Sequence, residues 1–321
     1  MTYRDIVYES QYMENVARIT LNRPEKMNAF SARLLDEFFA ALDEAEDDDR
    51  VRVVIVRGAG RCFAAGYDLN PSPAEVSGDP EKPDGRGLSW SLFRRGPRRQ
   101  TGVANDLRYL YFRAQRWLSL WDYRKILVAQ VHGYCLSGAN EMAGNCDLIV
   151  ASEDAVFGHP AARSQGNLPN SFGALWAINM GWRQAKWLAL TGKTMTAQEA
   201  LRVGYVNQVV PRDRLEAETS EVAMTVALME MDFLTLHKRA INRFFEVAGL
   251  KTAISSGVEF DALIHASEAS HRLSAEFGRI RQEQGLKAAL TWRDAKYARG
   301  QATGQIATSP EEDEGEGHHQ Y

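Results

Sequence analysis

Two apolar strands that each run into a bend of small residues constrain the fold of this chain more than any other feature. The first is VRVVIV from Val51 to Val56, followed by GAGRCFAAGYD, and the second is ILVAQV from Ile126 to Val131, followed by HGYCLSGANE. Runs rich in β-branched residues without polar alternation are typical of strands buried on both faces of a sheet. Because helical patterns alternate with such strands, the sequence predicts an α/β fold built from βαβ-type crossovers.

Helical patterns with recognisable start signals accompany these strands. Ser31 is a suitable N-cap for a helix in which apolar residues recur at helical spacing from Leu34 to Leu42. The aromatic segment from Leu107 to Tyr123 has the same periodicity, and one of its faces is expected to pack in the core or to line an apolar substrate cavity. Thr196 and Glu199 match a capping box, which predicts a further helix start.

The chain divides into regions of different character. Residues 1–210 carry the strands and bends, with an inserted loop over about 71–104 that is rich in Pro, Gly and Arg. Residues 211–300 have the pattern of long amphipathic helices, and residues 301–321 form an acidic tail of low complexity. We therefore expect a core domain, a helical C-terminal region and a disordered tail, with the inserted loop as a candidate lid.

Composition and charge exclude several classes of protein. The 321 residues are 45% hydrophobic and 25% charged with a formal net charge of −4, which indicates a globular protein and makes nucleic acid a poor candidate partner. The three cysteines fit neither a disulfide framework nor a zinc site, so we expect a cytoplasmic protein without a metal. No apolar run approaches the roughly 20 residues that cross a bilayer, so no membrane partner is expected.

The two bends also suggest a chemistry. The turn Ala64–Gly66 leads to Tyr67, while the second bend ends at Gly138, and bends of this kind can leave a backbone N–H directed into open space. Two such donors aimed at one carbonyl oxygen form an oxyanion hole, which stabilises an enolate. Small residues suit such a site because a ligand must approach the backbone closely.

Blocks of sequence around these bends resemble the crotonase, or enoyl-CoA hydratase/isomerase, superfamily. In chain order they are ITLNRPEKMNAFS, GRCFAAGYDL, HGYCLSGANEMAGNCDLIVAS, AVFGHP and LTGKTMTAQEALRVGYVNQVVP, and they cover most of the chain from about residue 15 to 210. The resemblance implies a crotonase-like spiral of ββα repeats followed by a helical C-terminal region that supports a homotrimer, or a hexamer of two stacked trimers. It also implies an acyl-CoA thioester as substrate, with coenzyme A belonging to the substrate and no separate cofactor.

The resemblance assigns candidate roles to residues of both bends. The backbone N–H groups of Tyr67 and Gly138 would hold the thioester oxygen. The side chain of Tyr67 is larger than the alanine that is frequent in the family, and it either shapes the acyl pocket or packs outward. Glu141 falls where family hydratases have one of their two catalytic glutamates, and we predict that it acts as a general acid or base.

The nucleotide part of coenzyme A is expected beside two segments. One is the turn formed by Ala64, Ala65 and Gly66, and the other is the loop from Arg23 to Met27. Within that loop Lys26 is the nearest basic candidate for a phosphate, although a solvated lysine explains its presence equally well.

One position departs from the family pattern. Hydratases usually read FGxPE where this chain reads FGHPA, so Ala161 takes the place of the second glutamate and hydration of an unbranched enoyl-CoA is not expected. His159, whose ordinary pKa lies near neutrality, is the nearest substitute acid or base, or else it hydrogen-bonds locally. Arg163 could orient a substrate oxygen or form a surface salt bridge. Asp68 is expected to be structural.

Several functions remain open at this point. The leading prediction is an enzyme of the enoyl-CoA hydratase type, a lyase acting on a bulky or cyclic acyl group, which the long loop and the aromatic segment favour. The alternatives are an isomerase or a carbon–carbon bond hydrolase of the same superfamily, and a non-catalytic protein that binds coenzyme A or RNA. An RNA contact would use the RRGPRR cluster from Arg94 to Arg99.

Overall fold

The fold is that of a computed structural model, which describes residues 2–69, 102–163 and 170–298. The Arg94–Arg99 cluster, the acidic tail and nearly all of the inserted loop lie outside the described residues. The strands are β1 (Ile6–Met13), β2 (Val16–Leu21), β3 (Val53–Gly58), β4 (Ile126–Val131), β5 (Tyr134–Leu136), β6 (Leu148–Ser152), β7 (Val156–Gly158), β8 (Thr194–Thr196) and β9 (Gln208–Val210).

Helices follow most of these strands. They are α1 (Ala32–Asp47), α2 (Gly102–Trp121), α3 (Gly138–Gly144), α4 (Asn170–Met180), α5 (Trp182–Thr191), α6 (Ala197–Arg202), α7 (Leu215–Ala227), α8 (Met231–Val247), α9 (Leu250–Ala266), α10 (Glu268–Gln284) and α11 (Leu286–Ala298). Short 3₁₀ helices cover Pro24–Lys26, Pro160–Arg163 and Arg212–Arg214.

The strands form a large and a small sheet. The large sheet has the order β1-β2-β3-β4-β6-β9 and is parallel from β2 onward, while the small sheet has the order β5-β7-β8. Isolated parallel bridges join Phe30 to Tyr67 and Ala64 to Cys135, which extends the small sheet toward the N-terminal part of the chain. Each ββα repeat thus contributes a strand to the large sheet, a short strand or bridge to the small sheet, and then a helix. The predicted α/β fold of ββα repeats is confirmed.

Alternate residues of the buried strands pack on opposite faces of the large sheet. Val54 and Val56 of β3 belong to the main core, which includes α1 and α2, whereas Val53 and Ile55 pack in a second core with α7. Because both faces are covered, β3 needs apolar side chains at every position except near its end. This explains the unbroken apolar run that the sequence shows there.

Two helices begin at the signals that the sequence predicts. The Ser31 hydroxyl accepts the N–H of Leu34 at 3.0 Å and caps α1. Thr196 and Glu199 form the reciprocal bonds of a capping box at the start of α6. After α6, Gly204 has a φ of +80°, a left-handed conformation that suits glycine and ends the helix.

The region after β9 is helical, as the sequence predicts. Helix α7 covers one face of the large sheet, and α9 packs against α2 and α4 on the other side of the molecule. Helix α2 begins at Gly102, earlier than the aromatic segment, and buries Tyr109, Leu110 and Trp117 in the main core. Among the described helices, none has the length and apolar character required to span a bilayer.

Candidate active site

The two glycine-bearing bends lie side by side because the small sheet holds them in parallel. The N–H of Ala64 donates to the Tyr134 carbonyl at 3.0 Å, and the N–H of Leu136 donates to the Ala64 carbonyl at 3.1 Å. At Gly66, which has a φ of +93°, a Cβ atom would lie 2.7 Å from the Leu136 carbonyl oxygen and 3.3 Å from the Gly138 nitrogen. Only glycine allows the two bends to approach this closely.

The backbone amides at the two bends have defined directions. Phe30 donates its N–H to the Gly66 carbonyl at 2.7 Å and accepts the N–H of Asp68 at 3.1 Å. Because successive amides alternate in extended chain, these two bonds to Phe30 leave the N–H of Tyr67 directed away from Phe30. Within the described residues, the N–H of Gly138 donates to no protein acceptor.

The residue before Gly138 has a strained backbone. Ser137 has a φ of 52° and a ψ of −121°, a region that glycine adopts easily and serine does not, at a cost of about 1–3 kcal/mol. Its N–H donates to the Gly158 carbonyl at 2.8 Å, and its carbonyl accepts the N–H of Glu141 at 3.1 Å. These bonds keep Ser137 in this conformation and so fix the direction of the following amide.

The Glu141 carboxylate lies one helical turn beyond Gly138 and is almost completely buried. Its Oε2 accepts the hydroxyl of Tyr67 at 3.1 Å, and the Tyr67 oxygen accepts Nε1–H of Trp117 at 2.9 Å. The Tyr67 ring covers Gly138, where a Cβ atom would lie 2.6 Å from Cε2 of the ring. Burial and the charge of Glu141 raise the pKa of Tyr67 well above its ordinary value, so the phenol keeps its proton. Of the two orientations predicted for this side chain, the structure has the inward one.

His159 lies on the other side of the carboxylate. Its Nε2 is 3.9 Å from Oε1 of Glu141, and its buried Nδ1 has no hydrogen-bond partner among the described residues. Burial, assisted by the nearby charge of Arg113, lowers the pKa of His159 to about 3. The expectation that this histidine titrates near neutrality is therefore wrong, because the sequence does not show that the ring is buried. At neutral pH His159 is uncharged.

Helix α2 contributes residues that the sequence interpretation did not single out. Tyr109, Arg113 and Trp117 are spaced four residues apart, and all are buried. The guanidinium carbon of Arg113 is 5.7 Å from the centre of the Tyr67 ring, and its Nη2 is 3.7 Å from the Asp261 carboxylate. Burial acts to lower the pKa of Arg113, but the charge of Glu141 raises it overall. The four-residue spacing is visible in the sequence and is the signal that could have identified this face.

The segments predicted to lie near the nucleotide of coenzyme A are in contact with each other. The N–H of Ala65 donates to the Met27 carbonyl at 3.0 Å. Nζ of Lys26 lies 3.4 Å from the Asp68 carboxylate, and 35% of the Lys26 side chain is exposed. The same carboxylate lies 3.2 Å from Nη2 of the buried Arg23. Lys26 is thus neither fully solvated nor buried, and the expected structural role of Asp68 agrees with its ion pairs.

The remaining candidates lie near the 3₁₀ helix Pro160–Arg163. Ala161 is within it and carries no group that can transfer a proton. Nη1 of Arg163 lies 3.4 Å from the Asp294 carboxylate of α11, so this arginine forms a salt bridge, one of its two predicted roles. No group of three or more His, Cys, Asp or Glu side chains suited to a metal ion occurs in the described parts of the chain.

Comparison with known proteins decides the family. The sequence pattern of the family described as enoyl-CoA hydratase/isomerase matches residues 11–83 and 99–297. This chain belongs to the enoyl-CoA hydratase/isomerase family. The predicted membership of the crotonase superfamily is thereby confirmed.

Individual members of the enoyl-CoA hydratase/isomerase family are similar over most of their length. EchA13 of Mycobacterium tuberculosis H37Rv, named as an enoyl-CoA hydratase, is 36% identical over 264 residues, which are 81% of this chain and 80% of that protein. A hydroxycinnamoyl-CoA hydratase-lyase of Pseudomonas fluorescens is 29% identical over a region that covers 88% of this chain and 91% of that protein. The crystal structure of an enoyl-CoA hydratase/isomerase from Xanthobacter autotrophicus Py2 superposes with a TM-score of 0.74 at 34% identity, covering 92% of this chain and 99% of that one.

Proposed function

We propose that this protein is an acyl-CoA enzyme of the hydratase type that stabilises a thioester enolate. In this proposal the N–H groups of Tyr67 and Gly138 hold the thioester oxygen, and Glu141 transfers a proton. The observation that carries the proposal is the meeting of two bends next to a buried carboxylate. An oxyanion-hole donor of this kind contributes about 3–4 kcal/mol to the stability of a transition state.

The chemistry follows from where negative charge develops. When water adds to the β-carbon of an enoyl thioester, charge moves onto the thioester oxygen, which the two amides would stabilise. Glu141 would take the proton from the attacking water. His159 is uncharged at neutral pH and would hydrogen-bond the water or the acyl group rather than supply a positive charge.

Coenzyme A would enter as part of the substrate, not as a separate cofactor. Its nucleotide would lie along Ala64, Ala65 and Gly66 and the Arg23–Met27 loop. The bond between the Ala65 N–H and the Met27 carbonyl supports this, because it makes one continuous surface of the two segments. The partly exposed Lys26 ammonium could turn from Asp68 toward a phosphate.

We further propose that the acyl group is bulky or cyclic. Aromatic rings contact the two neighbours of the Glu141 carboxylate: Phe30 packs against Tyr67, Trp117 donates a hydrogen bond to the Tyr67 oxygen, and Trp176 packs against His159. Flat apolar rings favour a flat apolar substrate. The relative named for a hydroxycinnamoyl-CoA supports the same substrate class.

The proposal is tested with a panel of enoyl-CoA thioesters that carry straight, branched and aromatic acyl groups. Loss of the conjugated absorbance reports turnover, and the mass of the product identifies the reaction. A gain of one water on the bulky substrates supports the hydratase proposal, whereas an unchanged mass identifies an isomerase. Cleavage of a carbon–carbon bond identifies the hydrolase alternative. Binding of acyl-CoA without any product would contradict an enzymatic role.

The C-terminal helices support a proposal about assembly, namely a cytoplasmic homotrimer or a hexamer of two trimers. Large apolar side chains are exposed on α8 and its neighbours, and patches of this kind mark protein interfaces. They are Leu228, Phe233, Leu236, Ile241, Phe244, Val247, Phe260 and Leu263. Light scattering coupled to gel filtration should give three or six times the mass of the chain. A monomer at micromolar concentration would contradict this proposal.

A further inference from the structure

Within the described residues, the Tyr67 hydroxyl is the side-chain group that donates a hydrogen bond to the Glu141 carboxylate. It donates to Oε2 at 3.1 Å, whereas Nε2 of His159 lies 3.9 Å from Oε1, beyond hydrogen-bond distance. A proton can pass directly between two oxygens that share a hydrogen bond. Glu141 and Tyr67 therefore form a connected pair, and Glu141 and His159 do not.

The phenol is also held firmly in this position. Trp117 donates Nε1–H to the Tyr67 oxygen at 2.9 Å, and the rings of Tyr67 and Phe30 pack edge to face with 5.9 Å between their centres. The opposite contact is Gly138, whose missing Cβ leaves room for the ring. A group fixed from three sides keeps the geometry that proton transfer requires.

We propose that the Tyr67 hydroxyl is the second proton-transfer group of this site, in place of the carboxyl group that Ala161 lacks. The inference rests on the proposed hydratase-type function. It extends that function because it assigns a catalytic role to the side chain of a residue whose backbone N–H is expected to hold the thioester oxygen.

The proposed step is balanced between the two groups. Water attacks the β-carbon of the enoyl thioester, one of its O–H bonds breaks, and the proton passes to the Glu141 carboxylate. The electron pair of the carbon–carbon double bond moves toward the thioester oxygen to form the enolate. As the enolate collapses, its α-carbon takes the proton of the Tyr67 hydroxyl, and the Tyr67 oxygen takes the proton held by Glu141. Both groups return to their starting forms.

Two features of the surroundings favour this sequence over one that uses His159. The raised pKa of Tyr67 disfavours a free phenolate, so the phenol must give one proton and receive another in the same step. The hydrogen bond to Glu141 provides that return path. The bond from Trp117 adds partial positive charge next to the Tyr67 oxygen during the exchange.

The main test compares Tyr67→Phe with Tyr123→Phe. Both variants remove a hydroxyl from a tyrosine ring, and Tyr123 donates to the Leu42 carbonyl at 2.6 Å away from the residues assigned to the site. For Tyr67→Phe we expect kcat to fall by about 10²–10⁴ while KM changes by less than about threefold. For Tyr123→Phe we expect an unchanged kcat. Adding Tyr67→Phe to Glu141→Gln should lower the rate little further, because residues that act as a unit are not additive.

A second variant keeps the hydroxyl and changes only its acidity. Replacing Tyr67 with difluorotyrosine makes the phenol more acidic at nearly the same size, so the alkaline limb of the pH–rate profile should move to lower pH. A tyrosine that only fills space would leave the profile unchanged. Thermal unfolding of each variant, with binding of a saturated acyl-CoA, shows whether the fold and the site are intact.

The outcomes separate the inference from the function on which it rests. A Tyr67→Phe enzyme with wild-type kcat, alongside an inactive Glu141→Gln enzyme, overturns the role of Tyr67 and leaves the hydratase proposal standing. A Tyr67→Phe protein that does not fold leaves the decision to the difluorotyrosine profile. If the wild-type protein converts no enoyl-CoA thioester, the proposed function fails and the role of Tyr67 fails with it.

Discussion

Two buried carboxylates lie close to the bends, and they differ in what surrounds them. Asp68 lies within ion-pair distance of Arg23 and Lys26. Glu141 accepts a hydrogen bond from the Tyr67 hydroxyl and faces the uncharged ring of His159, and the charge of Arg113 acts on it without a salt bridge between the two among the described contacts. Both acids are nearly inaccessible to solvent, so burial alone does not distinguish them.

The difference indicates which carboxylate is available for chemistry. A carboxylate that forms ion pairs with neighbouring cations holds segments of the chain together. Asp68 connects the first bend to the Arg23–Met27 loop in this way. A carboxylate whose direct partner is a neutral hydroxyl can accept and release a proton without breaking an ion pair. We therefore expect Glu141 to control activity and Asp68 to control stability.

The largest expected effect is that of Glu141→Gln on activity. The amide preserves the size of the side chain and can still accept the Tyr67 hydroxyl, but it cannot take a proton. We expect kcat/KM to fall by about 10²–10⁴, equivalent to about 3–5 kcal/mol, with little change in the unfolding temperature. Steady-state kinetics on the best substrate of the panel would measure this, and wild-type activity in the variant would remove Glu141 from the mechanism.

The next largest effect should come from Gly66→Ala, which disturbs the contact between the first bend and the second. The new Cβ would lie 2.7 Å from the Leu136 carbonyl oxygen and 2.8 Å from Cβ of Ser137, so the bends must separate. Because this moves one amide relative to the other, we expect activity to fall by about 10²–10³.

A matched control for this substitution is Gly249→Ala. Gly249 has a φ of +96°, close to the +93° of Gly66, but a Cβ atom there would meet nothing within 4 Å. Both variants should lose about 1–2 kcal/mol of stability from backbone strain. Gly66→Ala should lose further stability because its Cβ clashes with the second bend, and only Gly66→Ala should lose activity. Equal kinetics in the two variants would show that the closeness of the bends is not needed.

Asp68→Asn should lower the stability of the protein, whereas Glu141→Gln should lower its activity. Removing the charge takes one of two buried carboxylates from the Arg23 guanidinium, since Asp5 remains 3.8 Å from its Nε, so we expect a loss of up to about 3 kcal/mol in the free energy of unfolding. Asp122→Asn is the exposed counterpart, since Asp122 pairs with Lys251 at 2.8 Å and has 49% of its side chain exposed. That variant should lose less than about 1 kcal/mol. Urea unfolding of both variants measures the contrast, and equal losses would contradict it.

The sequence predicts the architecture well because local signals are strong there. Residues 51–56 and 126–131 are too apolar and β-branched for anything but buried strands, and the structure has β3 and β4 at Val53–Gly58 and Ile126–Val131. Ser31 and Thr196 cap helices through bonds within a few residues of the chain. Signals of this kind need no knowledge of distant contacts.

The candidate site is less predictable because it depends on distant contacts and burial. The inward direction of Tyr67 results from Trp117, fifty residues away in sequence. The low pKa of His159 results from burial that no local pattern reveals. Arg113 comes to the site on a helix whose aromatic pattern indicates only core packing or a cavity wall. The sequence thus identifies candidate residues, and tertiary contacts determine their orientation and their pKa.

The smallest effect that we predict is a slope of at most about 1.4 kcal/mol per pH unit, and it tests His159, the uncharged neighbour of Glu141. The pKa of His159 is about 3 in the folded protein and about 6.5 in an unfolded chain. Well above pH 6.5 neither state binds the proton, so this residue adds no pH dependence to the stability there. Between those two values the unfolded chain binds a proton that the folded protein does not. The free energy of unfolding should therefore fall as the pH falls, by up to about 1.4 kcal/mol per pH unit from this residue.

His159→Gln isolates this contribution. Other acid-sensitive groups, including the buried His132 with its pKa of about 4, are present in both proteins and cancel in the comparison. Near pH 5 the slope of unfolding free energy against pH should be smaller in the variant than in the wild type by close to one proton. Identical slopes would mean that His159 binds a proton in the folded protein near neutrality. Glu141 would then have a charged partner as Asp68 does, and the contrast between the two carboxylates would no longer explain their roles.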